Sequence, residues 1–358
     1  MYRCPKRVIN GPCGGYRDSK CEVNGTCVFI EVFSRLNNEI ITKIFYAPIL
    51  DNRFRIRDYF PVIKRPLTNF YKRLLNGDRL IVYEVVLPLG RDLNTIISDL
   101  KAFKGNDIVL AVTDSPLGIP SYNPFLISKV LMDETDVGDI VVNIALRDRT
   151  LSNLLSDVAT LISVGIRNFL IVTGDWPRSG TAFFELDSTR AIYALRLFTD
   201  LGINVKGSIV DVPRQAHYGA IANPNSKYKV IEVLRTMRKV IAGAEFLIFQ
   251  PVYNANTIKE FVSELTDELT HDIPLIPSYA PILSAKHLEG LKSIGIVVYN
   301  KELVELIKKE DYELLIEKNI DLILSILSSL DRIRALYLST YGDINLGYRM
   351  ISELRKYL

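Results

Sequence analysis

The chain has 358 residues, 48% of them hydrophobic, enough to bury one large core and an appendage. Its 44 basic and 41 acidic residues leave a net charge of +3, too balanced to imply nucleic acid as a partner. Met1 to Asn10 carries Arg3, Lys6 and Arg7 but no apolar h-region, so it does not read as a secretory signal. No apolar run approaches the roughly eighteen residues of a membrane span, and a cytoplasmic protein is expected. Glutamine occurs only at 215 and 250. That scarcity of thermolabile side chains, beside many Ile, Lys and Arg, points towards a thermophile.

Residues 1–35 read as a separate cysteine-rich module. Cys4, Cys13, Cys21 and Cys27 all lie here, among the turn formers Asn10-Gly11-Pro12, Gly14-Gly15 and Asn24-Gly25. Such a cluster in a cytoplasmic chain favours a metal site over a disulfide framework. The spacing is not the paired C-x-x-C of common zinc ribbons. Glycine-rich backbone suits a [4Fe–4S] cluster, because bare N–H groups can approach the sulfides. Zinc is the alternative, and disulfides are a third in a hyperthermophile. Residues 36–77 read as a connector. Val28–Phe33 fits either a strand or a helix start, and a helix over Arg65–Leu75 ends at Asn76-Gly77.

From residue 78 a regular alternation begins. Strand-like runs fall at Leu80–Leu87, Ile108–Val112, Ile140–Ala145, Phe169–Thr173, Ile203–Ile209, Phe246–Phe249, Pro274–Tyr279 and Ala335–Ser339. Helical patterns stand between them at Leu93–Lys104, Pro124–Asp133, Leu151–Val164, Ser188–Leu201, Tyr228–Ala242, Ile258–Leu269 and a long stretch from Ala285 to Leu330. Met350–Leu358 closes the chain on a further helix. Eight strands alternating with helices argue an α/β protein built as a (β/α)8 TIM barrel over residues 78–358. A doubly wound sheet is the runner-up and lacks a G-x-G-x-x-G after its first strand.

In such a barrel the chemistry sits at the carboxyl ends of the strands. Those ends carry Glu84, Thr113 with Asp114, Asn143, Thr173-Gly174-Asp175, Asp211, Gln250, Tyr279 and Tyr341. Glu84 interrupts an otherwise apolar strand. A lone carboxylate there would be desolvated, which raises its pKa and suits a general acid; the plainer reading is a structural Glu–Arg pair. Gly174 would let a flat ring approach, with Asp175 to tune it, although Gly-Asp is also ordinary turn chemistry. Gln250 is the first polar residue after Phe246–Phe249 and stands before Pro251. The three histidines, His217, His271 and His287, are scattered, with His217 expected in a strand–helix loop. No H-E-x-x-H, G-x-S-x-G or P-loop is present.

Glu84, Gly174-Asp175-x-Pro177, Gly219-Ala220-Ile221-Ala222-Asn223-Pro224 and Lys239-x-x-Ala242-Gly243-Ala244-x5-Gln250, with Tyr337–Tyr341 as the last strand, resemble methylenetetrahydrofolate reductase over about residues 78–358. Asn10–Gly15, Cys21-Glu22-Val23 and Cys27-Val28 resemble the small cysteine-rich module found with some bacterial and archaeal members. That module often lies at the other terminus or on a partner subunit, so its amino-terminal place is a departure. The resemblance implies a flavin-dependent reduction of a methylene-tetrahydropterin to the methyl form. By it, Glu84 would be the general acid, and Asp175 would lie near flavin and pterin. Gln250, with Tyr279, would hold the pterin. Thr113, Asn143, Thr173, Gly174 and Lys239 would bear on the flavin, Lys239 as a mobile point charge for its phosphate or ribityl chain. Bacterial members carry a histidine and an arginine where this chain has Asn143 and Thr173, which favours FMN over FAD. The four cysteines would hold a cluster or zinc that passes electrons or docks a donor. A nicotinamide nucleotide or an electron-donor protein, and a homo-oligomer, are the expected partners. Alternatives are a pterin-binding methyltransferase barrel with a thiolate zinc site, and a non-catalytic docking subunit.

Overall fold

Parallel strands covered on both faces are near-continuous apolar runs, and eight such runs form the framework here. They are β1 (Leu80–Val85), β2 (Ile108–Val112), β3 (Asp139–Ala145), β4 (Asn168–Val172), β5 (His217–Ala222), β6 (Phe246–Phe249), β7 (Leu275–Ile276 continued by Ser278–Tyr279) and β8 (Ala335–Leu338). The computed structural model describes residues 4–9, 11–46, 66–103, 107–135, 137–212, 216–265, 273–293, 295–296, 298 and 300–358.

Each strand pairs in parallel with the next, from β1 through to β6. The first half of β7 pairs with β6 and its second half with β8, which pairs with β1, so the sheet closes on itself. The break in β7 falls at Pro277, which has no N–H to donate; its carbonyl still accepts from Tyr337 N at 2.9 Å. This is the TIM barrel expected from the alternation.

Side chains alternate across the strands. One set fills the interior: Leu80, Val82, Val109, Ala111, Val141, Leu170, Phe246, Ile248, Ile276, Ala335 and Tyr337. The other, including Ile81, Tyr83, Leu110, Val142, Leu247 and Tyr279, packs against the surrounding helices. Continuing the inner set by steps of two places Glu84, Thr113 and Asn143 inside the barrel at its carboxyl end. The opposite end is closed by the helix Asn69–Asn76, whose Phe70 and Leu74 join the inner cluster. Full burial of each contributes roughly 1.5–3 kcal/mol, and Phe70 meets Phe246 edge-on with ring centroids 5.4 Å apart.

The fifth strand is His217–Ala222, not Ile203–Ile209. Ile203 and Ile209 bridge each other antiparallel across a tight turn in which Asn204 Oδ1 accepts from the Lys206 and Ser208 amides. The alternating pattern there is a surface loop, with Ile209 80% exposed. The true strand carries a glycine at its centre for a steric reason. A Cβ on Gly219 would stand 2.1 Å from the Phe246 ring, so only glycine lets that ring fill the interior. His217 accordingly opens a strand at the closed end of the barrel rather than lying in a loop. It is fully buried, stacked on Tyr71 at 4.2 Å, with Nδ1 3.2 Å from Glu245 and Nε2 accepting from Thr68 N at 3.3 Å.

Val28–Phe33 is a helix, and the stretch from Ala285 to Leu330 divides into Ala285–Ser293, Lys301–Lys309 and Tyr312–Leu327. The last helix, Ile344–Leu354, begins and ends earlier than the sequence pattern suggests. Ahead of the barrel, Tyr16–Arg17 and Lys20–Cys21 form a short antiparallel ribbon. Val8, Phe29, Ile30, Phe33 and Ile41 pack on Ile231 and Leu234 of the barrel helix Lys229–Ile241. The basic run Arg53-Phe54-Arg55-Ile56-Arg57, which reads from sequence as solvated surface or a local anion contact, lies outside the described residues, as do Gln215, His271 and the end of the helix expected over Ile258–Leu269. Among the described residues no helix is long and apolar enough to cross a membrane.

Candidate active site

Glu84 stands inside the barrel mouth, partly buried, with no cation among the described residues at ion-pair distance. Its carboxylate accepts from Ser339 Oγ at 2.5 Å on Oε1 and from Tyr337 OH at 3.0 Å on Oε2. Burial pushes its pKa up, and the two hydroxyl donors only partly oppose that. The Glu–Arg pair that would make it structural is absent among the described residues. Tyr337 is itself raised well above 10, first by burial and then by the Glu84 charge, so it remains a donor.

Asn143 extends this network across the interior. Its amide donates to Tyr337 OH at 3.5 Å, while its buried Oδ1 has no hydrogen-bond partner among the described residues. An orphaned buried acceptor costs about 1–3 kcal/mol and invites a donor from outside. A flat heterocycle with ring N–H groups, such as a flavin or a pterin, fits that requirement.

The loop after β4 holds Gly174 and Asp175. Gly174 has φ +85°, and a Cβ there would come within 3.1 Å of both Ala145 Cβ and Arg147 Cβ. Exposed Asp175 is held by its partners: Leu117 N donates to Oδ2 at 2.7 Å and Arg147 Nη1 to the Asp175 carbonyl at 2.7 Å. Leu117 and Ser115 both have positive φ, at 58° and 46°, so backbone strain brings that N–H to the carboxylate. Beside the loop a polar recess of about 400 Å³ is lined by Asp114, Arg147, Arg149 and Asp157. Its arginines are engaged within the chain, Arg149 with Asp114 at 2.7 Å and Arg147 with Asp175.

Thr113 is buried, and its hydroxyl donates to the Val85 carbonyl at 3.0 Å. Gln250 is partly buried, fixed through its own N–H to Ala222 O at 2.8 Å, and its carboxamide has no hydrogen bond among the described residues. Tyr279 is turned outward. Its hydroxyl donates to Asn319 Oδ1 at 2.9 Å in the helix layer and its ring lies 4.9 Å from Tyr253.

Thr173 and Lys239 are brought together beneath the N-terminal segment. With Val8, Gly11, Pro12, Cys13 and Arg235 they surround a void of only about 10 Å³. Lys239 is 3% exposed and donates to Ile221 O at 2.5 Å; burial, then the neighbouring Arg235, push its pKa down to about 7. The adjacent Arg235 is paired with Glu232 at 2.6 Å.

All four cysteines are free. Burial raises the Cys13 thiol to about 11, and its sulfur accepts from Gly15 N at 3.4 Å. Cys27 is raised by burial, with Cys21 and Cys4 adding to it. Among the described residues no group of three or more His, Cys, Asp or Glu side chains is gathered to hold a metal ion. The cluster or zinc expected at Cys4, Cys13, Cys21 and Cys27 therefore finds no support in this geometry. Tyr337, Ser339, Arg147 and the N-terminal Lys6 and Glu22 are site residues that the sequence did not nominate. Ser339, a small hydroxyl at the end of the last strand, offered the clearest available signal.

Residues 70–341 match the family model described as methylenetetrahydrofolate reductase, and residues 1–49 match one described as methylene-tetrahydrofolate reductase C terminal. No curated protein matches the chain. Among solved structures it is similar to an uncharacterized protein from Clostridium thermocellum that binds two copies of 5-methyl-5,6,7,8-tetrahydrofolic acid. Identity is 18%, the TM-score is 0.61, and 80% of this chain and 99% of that one are covered. An EDTA monooxygenase from Chelativorans sp. BNC1 superposes at 12% identity with a TM-score of 0.48, over 78% of this chain and 94% of that one, too loosely to carry weight.

Proposed function

The chain belongs to the methylenetetrahydrofolate reductase family, and we propose from that premise that it is a flavin-dependent oxidoreductase converting a methylene-tetrahydropterin to its methyl form. The observation that carries this is Glu84: a carboxyl of raised pKa inside the barrel mouth, supported by two hydroxyls and no cation, beside the unpartnered Asn143 Oδ1. A bound flavin would supply the hydride. Protonated Glu84 gives its proton to the nitrogen that departs as the methylene bridge opens, and the carbon left behind gains the hydride. One C–N bond breaks, one C–H bond forms, and the proton and electron pair are both accounted for. Tyr337 and Ser339 keep the carboxyl aimed and stabilise its negative charge by donating to it once the proton has left. Asn143 Oδ1 accepts from a ring N–H, Gln250 presents its free carboxamide to the pterin, and Asp175 lies at the rim for the flavin and pterin. The residues that would hold the flavin are Thr113, Asn143, Thr173 and Gly174, with Lys239 beneath.

In this reading residues 1–35 form the cysteine module, 36–77 the connector and 78–358 the flavin- and pterin-binding barrel. The filling of the space around Thr173 and Lys239 by Gly11–Cys13 supports FMN, the smaller flavin. A nicotinamide nucleotide or an electron-donor protein would return the electrons. The same filled space favours a second reading, a methyl-pterin-binding protein that takes no flavin. Incubation of the full chain with FMN, methylenetetrahydrofolate and dithionite separates the two. Appearance of 5-methyltetrahydrofolate supports the reductase. Tight binding of 5-methyltetrahydrofolate with no flavin uptake and no product would replace it with the second reading.

A further inference from the structure

We propose that Lys6 and Glu22, from the cysteine-rich N-terminal segment, are positioning residues for Asp175 at the barrel mouth. This rests on the reading of Asp175 as part of the reductase site. Lys6 is only 4% exposed, and a lysine so buried is costly unless its ammonium is fully engaged. It donates to the Gly174 carbonyl at 2.6 Å, pairs with Glu22 Oε1 at 2.6 Å and lies 5.1 Å over the Phe184 ring. The second Glu22 oxygen accepts from Trp176 N at 3.3 Å. The ion pair thus grips the carbonyl before Asp175 and the amide after it.

From the other side of the loop, Arg147 holds the Asp175 carbonyl and Leu117 N–H holds its carboxylate, both at 2.7 Å. Gly174, in the left-handed region, gives the loop freedom that its own backbone does not remove. Two consecutive peptide units, Gly174–Asp175 and Asp175–Trp176, are therefore fixed by side chains rather than by strand pairing. The Lys6 and Glu22 contacts span 168 and 154 residues, so they exist only when the N-terminal segment is docked on the barrel. Docking of that segment completes the site, and its absence leaves Asp175 held from one side. A catalytic group must sit within a fraction of an ångström of its working position, which is the task of such second supports.

The test uses full-length Lys6→Ala and Glu22→Gln, the latter removing charge while keeping shape. Amide hydrogen exchange is read at Trp176 and Leu117, beside kcat and KM for methylenetetrahydrofolate with the FMN-loaded protein. Exchange at both amides is expected to rise about tenfold in each variant, the factor carried by one lost hydrogen bond to a charged group. kcat should fall by a similar factor with KM nearly unchanged. Wild-type exchange in Glu22→Gln, which decides the matter where Lys6→Ala does not fold, would overturn the proposal. So would raised exchange with unchanged kcat. A wild-type chain that turns over no substrate refutes the reductase reading instead, and the Leu117 amide still reports whether the ion pair holds Asp175.

Discussion

Glu84→Gln separates chemistry from stability at a single atom. The side chain keeps its shape and can still accept from Tyr337 or Ser339, but it loses the acidic proton. Removing a positioned general acid costs about 10²–10⁴ in rate, or roughly 3–5 kcal/mol of barrier at about 1.4 kcal/mol per decade. Stability should move the other way. Glu84 is raised above the ordinary 4.5 with burial as the first cause, so the native state holds this proton more tightly than the unfolded chain. Stability therefore falls as pH rises from 4.5 through the raised native value, and above that window the ionised carboxylate is a burden that glutamine removes. Two assays check both halves: single-turnover conversion of methylenetetrahydrofolate by the reduced, flavin-loaded protein across pH, and thermal unfolding at neutral pH. Wild-type turnover should decline as pH rises through the raised pKa, and the variant should be slow throughout but melt at a higher temperature. A variant that keeps more than about a tenth of wild-type turnover, outside the loss expected of a general acid, would refute the role. A variant that melts lower would refute the account of the site as unpaired and desolvated.

Lys239 titrates near 7 in the folded chain against an ordinary 10.5, so between those values the unfolded state holds the extra proton and stability rises with pH. Lys239→Met should flatten that rise in melting temperature, and an unchanged slope would place the ammonium in contact with water. Tyr279→Phe removes a donor to Asn319 in the helix layer and should cost about 1 kcal/mol in urea unfolding; because the hydroxyl faces away from the mouth, binding of 5-methyltetrahydrofolate measured by calorimetry should stay unchanged. Gly219→Ala drives a methyl into the Phe246 ring and should cost about 3 kcal/mol, with partial recovery on adding Phe246→Leu. Full stability of the single variant would show that the ring has room to move.

The barrel was legible because parallel strands buried on both faces leave apolar runs that helices and polar strand ends interrupt regularly. Glu84 was legible for the same reason, as the one charge within β1. The fifth strand was hidden because Gly219 and the flanking alanines break its apolar run, and the alternating Ile203–Ile209 turn imitated a strand. Tyr279 was placed at the right strand end but on the wrong face. Counting by two from inward Ile276 gives Ser278, which leaves Tyr279 pointing at the helices. Tyr337 and Ser339 stand 253 and 255 residues from Glu84, and Lys6 stands 168 from Gly174. Contacts of that range depend on barrel closure and on docking of the N-terminal segment, neither of which a local pattern encodes. The cysteines are conspicuous in sequence, and in the fold Cys4, Cys13 and Cys27 pack against one apolar cluster with Val8 and Phe29.

The most direct measurement is an absorbance spectrum of the full chain purified without oxygen, reconstituted with FMN, reduced, and then mixed with methylenetetrahydrofolate. The account predicts bound flavin whose oxidised bands vanish on reduction and return as the methylene pterin is consumed, slowly in Glu84→Gln. A protein that takes up neither FMN nor FAD, or whose reduced flavin is indifferent to the pterin, would contradict it.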